Sequence, residues 1–291
     1  MTTDSITEFA PAKVNLSLRV GQAREDGYHP LDSLVTFADW GDSITVREEV
    51  ALMMSMSGPA AEDLVEEENN LVLRAARLLQ DKAGLDRGAV IHLNKEIPIA
   101  SGLGGGSADA AATLRALNQL WDLGMDLDEL ATLALDLGAD VPACVYSRPL
   151  RMRGIGEWIE LLPRFPAFSA ALVNPGVAVS TADVFARFDR GEPGPLIEAK
   201  PVTQDTLDWL AREPNHLEAP ARQIEKSIGK TLKWLKEQRG VELARMSGSG
   251  ASCFAIFESG ELAEIAADAY DGFGIEVGLA GFDHGELVWT E

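Results

Sequence analysis

Three groups of residues in this sequence have types and spacings suited to phosphate chemistry. The first is Gly102-Leu-Gly-Gly-Gly-Ser107, which runs straight into an alanine-rich stretch ending near Trp121. Glycines let consecutive backbone amides turn toward one ligand without side-chain obstruction. A helix that follows adds unpaired N–H groups and the positive end of its dipole. The segment reads as a phosphate cradle, with Ser107 able to cap the helix and touch a phosphate oxygen. The plain alternative is a flexible turn. A P-loop is excluded because no Gly-Lys-Ser/Thr closes it. A dinucleotide fingerprint fits poorly because Pro98 stands between the preceding strand and the glycines. The second group, Met246-Ser-Gly-Ser-Gly-Ala-Ser252, is either a bulged hairpin or a second wall beside phosphates. The third is Lys13 with Asn15, on one face of a strand and about 7 Å apart, together with Asp140 in Leu137-Gly-Ala-Asp-Val-Pro142. Lys13 is either an edge charge facing water or an active-site charge. Asp140 taken alone reads as a turn aspartate.

These residues need elements to hold them. Val14, Leu16, Leu18 and Val20 alternate with polar residues, which predicts a half-buried strand over 14–20. Ile44 with Val46, then Leu52, Met54 and Met56, then Ala89 to Leu93 predict further strands. Asn69 or Asn70 is placed to cap a helix carrying Leu71, Ala75, Leu78 and Leu79. Leu114, Leu117 and Trp121 form the stripe of the helix after the glycines, and another helix spans about Asp128 to Leu137 before Gly138. In the second half, Ala170 to Val173 reads as a strand and Ser180 or Thr181 caps a short helix. Ile224, Ile228, Leu232 and Leu235 predict one long helix from about Leu217 to Gln238. Two strands follow around the second glycine cluster, then a helix near Glu261 to Tyr270 and a last strand. Strands and helices interleave without strict βαβ order, which favours an α+β protein with antiparallel sheets. A domain boundary is expected within 147–165, where Ser147-Arg148-Pro149 and two glycines interrupt the pattern.

Composition narrows the partners. A chain of 291 residues suffices for two ordinary domains or one large one. Its 46% apolar and 24% charged content is that of a folded globular chain. No apolar run reaches the roughly 20 residues of a membrane span, and Met1 to Asp4 lacks a secretory signal's basic and apolar regions. The expectation is a cytoplasmic protein. A formal charge of −21 repels nucleic acid and anionic membranes, so both drop out as partners; the plain alternative is an acid excess that keeps the protein in solution. Cys144 and Cys253 lie in apolar stretches and read as buried thiols. His29, His92, His216 and His284 show no metal-ligand spacing.

The ordered set of motifs resembles the GHMP small-molecule kinases from end to end. Ala10-Pro-Ala-Lys-Val-Asn15 is similar to the family's opening motif, Pro98 to Ala112 to its ATP phosphate loop, and Leu137–Pro142 and Met246–Ser252 to its remaining signatures. Asp26-Gly-Tyr-His29, with Leu31 and Ser33 after it, resembles the segment of the branch that phosphorylates cytidine diphospho-methylerythritol. That branch serves non-mevalonate isoprenoid biosynthesis, and other branches act on mevalonate or homoserine. The resemblance implies a two-domain α+β fold with largely antiparallel sheets and the active site in the cleft between domains. It implies an N-terminal ATP- and phosphate-binding domain over 1–155 and a C-terminal domain over 156–291 that contributes to the substrate site.

The same resemblance assigns roles. Lys13 and Asp140 would be the catalytic pair, with Asp140 also touching the substrate. Pro98, Ser101, Gly102, Leu103, Gly104, Gly105, Gly106 and Ser107 would hold the ATP phosphates, and Asn70 and Lys95 would lie near the adenine. Asn15 and Thr181 would hold the substrate, Tyr28 would stack on cytosine, His29 would hydrogen-bond it, and Phe185 would close its other face. ATP would be the co-substrate, with Mg2+ bridging phosphate oxygens and taking few protein ligands, none of them assigned. The assembly is expected to be a monomer or homodimer. A non-catalytic relative that binds nucleotide would lack Lys13 or Asp140, and both are present. Two departures stand out. Ala108 replaces the second serine of the usual Gly-Gly-Gly-Ser-Ser. Ser147-Arg-Pro-Leu-Arg-Met-Arg153 replaces a small, glycine-rich stretch and is read as a solvated loop, with a phosphate contact as the alternative.

Overall fold

The glycine-rich segment and the alternating strands resolve into an α+β fold, seen in a computed structural model that describes residues 5–62, 70–202 and 205–290. Along the chain run β1 (Ile6–Asn15), β2 (Arg19–Val20), β3 (Leu31–Glu49), β4 (Met53–Ser57), α1 (Leu71–Ala83), β5 (Gly88–Asn94), α2 (Gly105–Leu120), α3 (Leu127–Ala134) and α4 (Val141–Tyr146). Then come β6 (Leu150–Gly154), β7 (Trp158–Leu161), β8 (Phe168–Asn174), α5 (Thr181–Asp189), α6 (Thr206–Arg212), α7 (Glu218–Ile224) and α8 (Lys226–Lys236). The chain closes with β9 (Val241–Met246), β10 (Cys253–Phe257), α9 (Gly260–Ala269), β11 (Phe273–Leu279), β12 (Gly281–Asp283) and β13 (Glu286–Val288).

Two compact units emerge, each built from separate stretches. One comprises Met1–Lys13, Trp40–Ile99 and Gly104–Ser147; the other comprises Val14–Asp39, Ala100–Leu103 and Arg148–Glu291. Where the sequence suggested a single boundary near residue 155, the chain crosses between units after residues 13, 39, 99, 103 and 147.

In the first unit, Ser43–Glu49 of β3 pairs antiparallel with β5, and β4 lies parallel to β5. A parallel pair needs a long crossover, and α1 lies within it. The Asn70 carboxamide oxygen accepts from the Val72 N–H to start α1, and Gly84 at φ 62° ends it. Helix α2 packs against α1 and α4. Residues 108 to 114 of α2 are buried all round, which explains the run of small alanines: a helix covered on every side has no polar face.

In the second unit, β9, β10, β8 and β11 form an antiparallel array in that order. Strand β8 is buried along its whole length. Ile228, Leu232 and Leu235 of α8 join Ala263, Ala266 and Ala267 of α9 over Val173, Ala255 and Phe257. β6 pairs with Leu31–Val35 of β3, and β7 adds to β6.

Several expectations are corrected. The strand predicted over 14–20 starts earlier and ends at Asn15, where Leu16 and Ser17 both turn their N–H groups onto the Leu34 carbonyl. Its polar positions do not face water. Lys13, Asn15 and Ser17 are all buried; Asn15 and Ser17 have polar partners inside, and Lys13 pairs with Asp140. The long helix expected over 217–238 is two helices. Glu225 leaves helical geometry at φ −129°, ψ 108°, and its carboxylate caps α8 by accepting from the Ser227 N–H. Ile224 is consequently exposed rather than on the stripe of Ile228. Ser107 does not cap α2; Gly104 occupies that position in the left-handed conformation at φ 65°. The stretch read as a solvated loop, 147–153, instead enters β6. Arg151 there makes a bidentate pair with Asp32 at 2.7 and 2.6 Å, Arg153 pairs with Glu160, and Arg148 lies over the Phe282 ring. Asn70 is the cap of α1, while Asn69 falls outside the described residues.

Candidate active site

Lys13 sits near the end of β1 and is 3% exposed, yet its ammonium lies 2.8 Å from the Asp140 carboxylate, which is 43% exposed. The local fold explains why Asp140 is available. It occupies the N-cap of α4 but makes no capping bond with its own side chain. The far end of α4 is secured instead by Arg115, whose guanidinium donates to the Cys144 and Val145 carbonyls and pairs with Glu8. Cys144, buried in α4, has its thiol pushed up to about 12 by burial, so it is no nucleophile here. Cys253 is likewise buried and free, its thiol raised by burial.

The glycine loop closes over this pair. A Cβ on Gly104 would stand 3.1 Å from both Cβ and Cε of Lys13, so the chain passes against the lysine stem with room for hydrogen alone. The N–H groups of Gly104, Gly105, Gly106 and Ser107 have no protein acceptor among the described residues, the first helical bond being Ala108 N–H to the Gly104 carbonyl. Four amides without a protein acceptor, the positive end of a helix and a lysine are the groups from which an anion site can be built. Ala108 points inward at 1% exposed, so the serine it replaces would have faced the core.

Beneath the loop lies a cluster that the sequence did not disclose. Lys95 is buried, its Nζ 2.5 Å from Asp42 and 2.7 Å from Asp109. Asp42 also accepts from the Glu96 and Ile97 N–H groups. A Cβ on Gly105 would come within 2.9 Å of Lys95 Nζ. The Lys95 ammonium, expected near an adenine, lies between the carboxyl groups of Asp42 and Asp109 beside Gly105. Burial raises the Asp109 carboxyl to about 8, against the pull of Lys95 and with the Asp42 charge adding to it. Its Oδ1 is buried without a hydrogen-bond partner. A lone aspartate in the alanine run after the glycines was the available signal; Asp42, far away in sequence, gave none.

The second unit gathers the other expected residues into two places. At the first, the two glycine clusters meet. Ser252 N–H donates to the Ser101 carbonyl, Ser247 Oγ to the Gly102 carbonyl, and a Cβ on Gly102 would fall 2.5 Å from the Gly250 oxygen. Leu103 is fully buried and anchors the loop. Asn15 joins this place: its N–H donates to Ser247 Oγ, and its carboxamide donates to Ser33 Oγ at 2.8 Å. Thr181 Oγ1 lies 2.8 Å from Ser249 Oγ. At the second place, the His29 ring packs on Phe185 at 4.8 Å and reaches Asp189 at 2.8 Å, while Tyr28 beside it is 55% exposed. Asp189 was not anticipated; Ser33 and Ser249 stood inside the sequence motifs without a role of their own. Pro98 is half-buried just before the loop.

The family models for the GHMP kinases N terminal domain and the GHMP kinases C terminal match residues 70–148 and 185–276. A 4-diphosphocytidyl-2-C-methyl-D-erythritol kinase of Parvibaculum lavamentivorans is 46% identical over 95% of this chain and 98% of its own. One of Rhizobium etli is 48% identical over 92% and 91%. A crystal structure of 4-(cytidine 5'-diphospho)-2C-methyl-D-erythritol kinase superposes with TM-score 0.77 at 36% identity, covering 94% of this chain and 99% of that one. A homoserine kinase from Cytophaga hutchinsonii shares the fold, with TM-score 0.69 at 20% identity over 99% of this chain and 98% of its own.

Proposed function

The chain belongs to the GHMP kinase family, and from that premise we propose that it moves the γ-phosphoryl group of ATP to the 2-hydroxyl of 4-diphosphocytidyl-2-C-methyl-D-erythritol, a step of non-mevalonate isoprenoid biosynthesis. The observation that carries the reading is the 2.8 Å pair of buried Lys13 and accessible Asp140 against the glycine loop. Phosphoryl transfer passes through a loose transition state, so positioning and charge stabilisation supply most of the rate. Asp140 takes the proton of the attacking hydroxyl. Lys13 offsets charge gathering on the transferred group, and the amides of Gly104 to Ser107 hold phosphate oxygens. On a chain of charge −21, these local donors make an anion welcome.

Among the described residues no group of three or more His, Cys, Asp or Glu could hold a metal ion. The accessible Asp140 carboxylate is the residue that would meet a magnesium ion brought in with ATP, and such an ion would supply neutralisation of phosphate charge. The exposed Tyr28 ring and the cluster of His29 and Phe185 support recognition of a pyrimidine base, which mevalonate and homoserine lack. Among the described residues no helix is long and apolar enough to cross a membrane, in keeping with a small-molecule substrate and a cytoplasmic enzyme. ADP release with magnesium and ATP should be fastest with 4-diphosphocytidyl-2-C-methyl-D-erythritol. Preference for mevalonate or homoserine would overturn the assignment.

A further inference from the structure

Helix α5 grips the imidazole of His29 from several sides. Asp189 Oδ1 lies 2.8 Å from its Nε2, Phe185 packs on it at 4.8 Å with a tilt of 38°, and Phe188 meets it edge-on at 6.0 Å. Phe188 in turn stacks on His216 at 6.5 Å, and His216 Nδ1 contacts the Val20 N–H at 3.0 Å. The His29 side chain keeps 9% exposure, and its Nδ1 makes no hydrogen bond among the described residues. An ionised carboxylate can only accept. The proton of the neutral ring is therefore held on Nε2, and Nδ1 is left with a lone pair.

We propose that Asp189 is a positioning residue for base selection: by fixing His29 as the Nε2–H tautomer, it makes Nδ1 an acceptor for the exocyclic amine of cytosine and a repellent for the carbonyl oxygen that uracil carries at the same place. This rests on the cytidine reading above. Cytosine and uracil share an outline and stack alike, so Tyr28 and Phe185 cannot separate them. A donor–acceptor match can, because the wrong base sets two lone pairs against each other. Asp189 sits on the last turn of a helix whose side chains also hold the ring from the back, so tautomer and orientation are set by one element.

The test compares kcat and KM for the cytidine substrate and its uridine analogue in the full-length enzyme, Asp189→Ala and Asp189→Glu. The wild type should favour the cytidine compound by about a hundredfold or more in kcat/KM. Asp189→Ala should shrink that preference about tenfold, through KM rather than kcat, and Asp189→Glu should restore part of it. Nitrogen-15 spectra, assigned with His29→Gln, should show a pyridine-type Nδ1 and a pyrrole-type Nε2 in the wild type and a mixture in Asp189→Ala. An unchanged base preference in Asp189→Ala, or a wild-type ring protonated on Nδ1, overturns the proposal and leaves the kinase reading standing. Failure of the wild type to turn over the cytidine compound at all overturns the kinase reading instead.

Discussion

Lys13 and Asp140 touch each other but occupy opposite environments, so removing one should not mirror removing the other. At 2.8 Å two unit charges attract by about 6 kcal/mol at an effective dielectric near 20. Asp140 is 43% exposed, and solvent screening leaves about 1–3 kcal/mol of that. Asp140→Ala strands an ammonium that is 3% exposed, so a stability loss of about 2 kcal/mol is expected. Lys13→Met fills the same space with an apolar chain and leaves Asp140 to water, so its loss should stay within about 1 kcal/mol. Turnover is expected to tell a different story, because in the proposed mechanism both groups act on the reacting atoms. Lys13→Met and the isosteric Asp140→Asn should each lower kcat about a hundredfold or more, with ATP affinity in Asp140→Asn within about twofold. Urea unfolding gives the first pair of numbers and steady-state ADP release the second. Should Lys13→Met prove the less stable protein, the electrostatic reasoning is wrong; near-normal turnover by Asp140→Asn would remove Asp140 from the mechanism.

Asp109 makes stability depend on pH. Its carboxyl, ordinarily near 3.8 and raised to about 8 mainly by burial, binds its proton more tightly in the folded chain than in the unfolded one. The stabilisation is full below pH 3.8 and is lost as pH climbs through about 8. Unfolding measured at several pH values across that window should show declining stability for the wild type and a flatter profile for Asp109→Asn; parallel profiles would contradict this. Gly104→Ala forces a side chain into φ 65° and against Lys13 at 3.1 Å, whereas Gly124→Ala meets the same φ with nothing within 4 Å. Both should lose about 1 kcal/mol, and Gly104→Ala alone should lose about tenfold in kcat. Equal activity in the two variants would separate the loop from the lysine.

Much of the site was legible because glycine leaves a geometric imprint. Gly102 and Gly104 stand at positive φ and in close approach, constraints that select the residue type and so survive in the sequence. From its own segment Asp140 was legible only as a turn aspartate; its pairing with Lys13, more than a hundred positions away, came from the family resemblance and not from local spacing. The alternation over 14–20 misled for a physical reason: period-two patterning assumes polar residues seek water, while Asn15 and Ser17 find their partners inside and buried Lys13 pairs with the accessible Asp140. The break at Glu225 carries neither glycine nor proline, and the spacing of Ile224 and Ile228 continues across it as if one helix were present. Arg151 reads as a surface charge until Asp32, on another strand, meets it.

Of the five passages of the chain between its compact units, after residues 13, 39, 99, 103 and 147, one falls at Lys13 and two lie on either side of Gly102. A cut anywhere from residue 14 to residue 146 leaves neither fragment with a whole unit, because each unit is assembled from three separate stretches. A premature stop in that range therefore damages both bodies at once, while one just past residue 147 spares every stretch of the first.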